Sequence, residues 1–121
     1  MRRAVITGIG VIAPNGQRVE QFWDNVMAGT VVIEDEPLMA ELGLRCHGVA
    51  RCHGFELAGW PERAAAELAG LGRFVHLGAS AARDAMRDAG RSLLDRDRGG
   101  GGVVFASVMA APPNCRPCTA A

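Results

Sequence analysis

Apolar positions along this chain fall into two short runs near its ends and two helical stripes between them. Ala4, Val5, Ile6 and Thr7 lead into Gly8 and Gly10, and a second apolar run is stopped by Pro14, Asn15 and Gly16. A run this short, bounded by glycines and a Pro-Asn-Gly breaker, predicts a buried central strand. After Gly16 the period changes. Val19, Phe22, Trp23, Val26 and Met27 recur at helical spacing, so a helix with one apolar face is expected from Arg18, with Glu20, Asp24 and Asn25 pointing away and Gly29 ending it. At that spacing Phe22 and Trp23 read as core packing rather than as a ligand platform.

The second stripe is longer. Pro61 suits the first position of a helix carrying an Arg63 and Glu67 pair, closed by Gly70 and Gly72. Residues 73–89 then predict the longest helix, with Phe74, Leu77, Ala81, Ala85 and Ala89 on one stripe and Ala82 and Met86 beside it. Gly78 and the alanines leave that face little bulk, so the helix axis can approach a neighbour closely. Gly90 caps the helix, and residues 91–98 form a charged connection. The glycines at 99–102 release the chain into Val103, Val104, Phe105, Ala106, Ser107 and Val108, a second buried strand. Strand, helices, strand is the order that joins parallel strands by a right-handed crossover. The expected class is therefore α/β, with residues 4–7 and 103–108 parallel and helices covering them.

Residues 30–60 carry the chemistry-bearing side chains. Glu34, Asp35 and Glu36 before Pro37 read as a solvated turn, and residues 38–44 as a helical turn. The triplet Cys-His-Gly then occurs twice, at Cys46-His47-Gly48 and Cys52-His53-Gly54, and Cys115 and Cys118 add a C-x-x-C pair. These are zinc-type ligands, but adjacent Cys and His point to opposite faces of a strand, and tetrahedral sites need spacings this repeat does not provide. The expectation is no metal and, in a reducing compartment, no disulfide.

The 121 residues amount to one domain at most, and thirteen basic and thirteen acidic residues cancel. A neutral balance gives no electrostatic footprint for nucleic acid or an anionic membrane surface. No apolar stretch approaches the roughly 20 residues that span a bilayer, and no signal-peptide pattern opens the chain, so a cytoplasmic location is expected. After Met109 the three prolines and the loss of periodicity predict an irregular tail, residues 110–121, behind a domain portion at residues 1–109.

Gly8, Gly10 and Ala13 also fit G-x-G-x-x-A, the dinucleotide fingerprint, with Val31, Val32 and Ile33 as a following strand and Glu34 as the acidic residue about 20 positions on. Pro14 stands against it. It would fall inside the first turns of the helix that must open at the glycines, leaving the phosphates without their main donors. His76 has no nucleophile or carboxylate placed to orient it and reads as a surface histidine rather than a catalytic base.

R-R-A-V-I-T-G-I-G-V-I-A-P-N-G followed by V-E-Q-F-W-D-N-V-M-A-G resembles the opening of a β-ketoacyl-acyl carrier protein synthase. The R-F-V-H-L-G-A-S-A-A-R-D-A-M-R-D-A-G stretch resembles the family's next long helix, and G-V-V-F-A-S its next core strand. The resemblance runs from Arg2 to about Ser107 and implies part of a thiolase-like fold. It implies a short hairpin around the Cys-His-Gly repeat, and for the whole enzyme it implies decarboxylative condensation of acyl and malonyl groups in fatty acid or polyketide synthesis. Acyl carrier protein and a second ketosynthase-like subunit are the implied partners, and no cofactor is implied. The family's nucleophilic cysteine and its active-site histidines should lie beyond this stretch. Cys118 comes too early, after Pro117 and with no helix following, so no catalytic role passes to it. The expectation is a truncated synthase-family chain, inactive and self-associating when isolated. The A-P-N-G opening also resembles the polyketide branch, including chain-length factors. The alternatives are a Rossmann-type NAD(P)-binding fragment and a small interaction domain.

Overall fold

The computed structural model describes residues 3–91 and 102–107. The elements run α1 (Val19–Met27), β1 (Glu34–Asp35), α2 (Pro37–Glu41), β2 (Gly48–Val49), α3 (Glu62–Ala69) and α4 (Arg73–Asp88). All three expected helices are present. Gln21 accepts from the Gln17 N–H at 3.1 Å at the start of α1, satisfying a donor at a helix entry with no capping side chain at Arg18. Gly29 and Gly90, with φ of 65° and 69°, take the left-handed conformation just past the C-caps Ala28 and Ala89, as their glycine identity anticipated. Pro61 is the N-cap of α3 rather than its first residue, and Arg63 meets Glu67 at 3.3 Å.

The strands differ from expectation. Residues 4–7 and 103–107 form no ladder, so the parallel pair is not realised among the described residues, and Val108 lies outside them. The one sheet described is antiparallel, pairing Glu34 with Val49 and Asp35 with Gly48. A strand exists only through a partner's hydrogen bonds, and neither terminal run is given one here.

No hydrophobic side chain is fully buried among the described residues, and no two helices pack broadly on each other. Trp23, expected in a core, is 60% exposed, because no described element covers that face of α1. Order comes instead from loops pinned to α4. Arg73 donates to the Cys52 carbonyl at 2.5 Å and stacks over Phe55, with 5.5 Å from its guanidinium to the ring centre. Arg83 donates to the Ala58 carbonyl and lies 5.3 Å from the centre of the Trp60 ring. No helix among the described residues is long and apolar enough to cross a membrane.

Candidate functional site

Residues 8–10 and Phe105 both lie against the small-residue face of α4. The segment after residue 7 crosses it at Gly8 and Gly10, and a Cβ built on Gly10 would stand 2.7 Å from Ala85 N and overlap the Ala81 carbonyl. A Cβ on Gly8 would stand 2.7 Å from Ala89 N and overlap the Ala85 carbonyl. One turn of α4 separates the two contacts, so the glycines fit against successive turns of helix backbone. Toward the other end of the helix, a Cβ on Gly78 would overlap the Phe105 ring, which also lies 6.3 Å from the ring of Phe74. The close approach expected of this face is therefore present, with loop backbone and an aromatic ring as the neighbours.

This geometry removes the dinucleotide reading. A pyrophosphate site needs the glycine backbone open to the ligand and a helix beginning there. Here both glycines face α4, no helix opens at residues 8–13, and Ala13 and Gly16 instead close a tight turn by mutual hydrogen bonds of 2.9 and 3.1 Å. Gly16 is also required where it sits, since a Cβ there would stand 2.6 Å from Phe22 Cα. Asn25, expected to point away, donates to the Asn15 carbonyl at 2.5 Å and ties that turn to α1.

Glu34, the candidate ribose ligand, is occupied by protein. Its two carboxylate oxygens lie 2.9 and 3.0 Å from His53 Nε2, and Arg51 Nε is 3.9 Å away. Glu36 forms an ion pair with Arg51 and accepts from Leu38 N at 3.3 Å, capping α2. Its side chain is largely covered while that of Asp35 stays exposed, so the triplet is a short strand followed by a helix cap rather than a turn, and it is solvated only in part. His47 Nδ1 stands 3.8 Å from Asp35, and its Nε2 lies 2.6 Å from the Leu44 carbonyl. Each histidine of the repeat thus faces a carboxylate of β1. The repeat and the acidic triplet together fasten the β1–β2 pair.

Among the described residues no three His, Cys, Asp or Glu side chains converge as metal ligands. Cys46 and Cys52 are free thiols, and no hydrogen bond joins either to an imidazole. Cys115 and Cys118 lie outside the described residues. His76 is half-buried rather than on the surface, its Nε2 2.7 Å from the Leu68 carbonyl, so it links α4 to the end of α3. A cleft of about 1080 Å³ lies beside this network, with Leu42, Leu44, Phe55 and Leu77 on its walls and Arg51 and Arg73 among its polar groups. Cys52 and His53 also line it, but no hydrogen bond joins that thiol to the imidazole, whose Nε2 is on Glu34.

The match to known proteins runs along the same segments. The family model for the N-terminal domain of β-ketoacyl synthase covers residues 1–116. The chain belongs to the β-ketoacyl synthase family. A polyketide beta-ketoacyl synthase 2 of Streptomyces coelicolor is 39% identical over 98 residues, covering 78% of this chain and 22% of the relative. A polyketide beta-ketoacyl synthase 1 of Streptomyces halstedii is 29% identical over 114 residues, covering 89% of this chain and 25% of the relative. The crystal structure of a beta-ketoacyl synthase from Burkholderia phymatum superposes with a TM-score of 0.66 at 26% identity, over 79% of this chain and 23% of that one. The chain therefore spans about a quarter or less of the length of these relatives. The partial α/β arrangement is that of a synthase's N-terminal part.

Sequence reasoning missed two positions of this synthase segment that the structure brings into use. Asp88 accepts from the Ile9 N–H at 2.9 Å, and Ser80, 1% exposed, is the most buried side chain of α4. The aspartate's only signal is its place one turn from the alanine that meets Gly8. The serine has none, because small residues fill the whole face.

Proposed function

We propose that this chain forms the N-terminal layer of a polyketide-type β-ketoacyl synthase, contributing scaffold rather than reacting groups. The observation that carries the reading is the seating of Gly8 and Gly10 on the alanine face of α4, within the stretch that the synthase family model matches. The polyketide assignment rests on the names of its Streptomyces relatives.

In the whole enzyme an acyl group passes from a carrier-protein thioester to a cysteine thiolate, releasing the carrier thiol. A malonyl thioester then loses carbon dioxide, and the resulting carbanion attacks the enzyme-bound acyl carbonyl, forming the new carbon–carbon bond and releasing the cysteine. Backbone N–H groups hold the developing oxyanion. None of these roles falls to the residues of this chain. Acyl carrier protein and a second synthase-like subunit are its partners in that assembly. We assign the synthase portion to residues 1–109, within the 1–116 stretch that the family model matches; residues 110–121 lie outside the described residues.

Two measurements test the reading. A chimera in which residues 1–116 replace the matching stretch of the S. coelicolor relative should fold and condense acyl and malonyl groups, while the chain alone should not. A folded but inactive chimera would overturn the scaffold role. Condensing activity in the isolated chain, abolished by Cys118→Ala, would overturn the absence of a nucleophile.

A further inference from the structure

We draw no further inference here: the strongest candidate, the cleft of about 1080 Å³ between α2, the loop after β2 and the start of α4, is a largely apolar groove, and nothing in the structure shows what covers it.

Discussion

The main-chain nitrogen of Ile9 donates to Asp88 Oδ2 at 2.9 Å, joining positions 79 apart in the sequence. It sits between the contacts that Gly8 and Gly10 make with α4, so one carboxylate fixes the register of the N-terminal segment along the helix. A hydrogen bond to an ionised acceptor is about twice as strong as a neutral one, though water competes at this exposed site. In the chimera, Asp88→Ala should lower stability by about 1 kcal/mol and speed amide exchange at Ile9, while Asp88→Asn keeps most of both. Unchanged exchange in the alanine variant would show that the glycine contacts suffice.

The glycines give a sharper contrast. In Gly10→Ala the new methyl would stand 2.7 Å from Ala85 N and overlap the Ala81 carbonyl, with helix backbone that cannot yield. Overpacking of this kind costs about 1–3 kcal/mol, or more where backbone must move. At Gly70 nothing lies within 4 Å and the backbone is already right-handed, so Gly70→Ala should be neutral or slightly stabilising. Thermal denaturation of the two chimeric variants checks the pair. Equal melting temperatures would place residues 8–10 off the helix.

Cys46 and Cys52 should be reduced and metal-free. The flanking imidazoles are turned to β1, with His47 toward Asp35 and His53 against Glu34. Protein purified without added metal should show background zinc, and both thiols should react with a thiol reagent without prior reduction. Stoichiometric zinc would mean that the Cys-His-Gly loops rearrange around a metal.

What could be read from the sequence divides along a physical line. Helices α1, α3 and α4 were legible because a 3.6-residue stripe and a glycine just past its end are local signals. The small face of α4 was legible too, since alanines on one side permit only a close neighbour. The strands were not, because the runs at 4–7 and 103–108 need hydrogen bonds from elsewhere to become a sheet. Also hidden were the partners of polar groups distant in sequence: Glu34 with His53, Asn25 with the Asn15 carbonyl, His76 with the Leu68 carbonyl. Charge and spacing announce that such groups need partners but do not say which. The dinucleotide pattern misleads for a related reason. Gly8 and Gly10 report that backbone must approach something closely, and that something is a helix of the same chain.

The last expectation concerns the chain alone. Val5, Ile6, Val31, Ile33, Val103 and Val104 all stand more than half exposed, and the described residues bury no hydrophobic side chain fully. A cooperative melt requires a packed interior whose contacts are lost together, and apolar runs with open edges favour association instead. Purified by itself, the chain should therefore self-associate and show a helical far-UV signal from α1, α3 and α4, with no sigmoidal thermal transition and with dye binding to exposed apolar surface. Sedimentation and circular dichroism on the same sample decide it. A monodisperse monomer with a sharp two-state transition would mean that these 121 residues bury a core by an arrangement other than the one described.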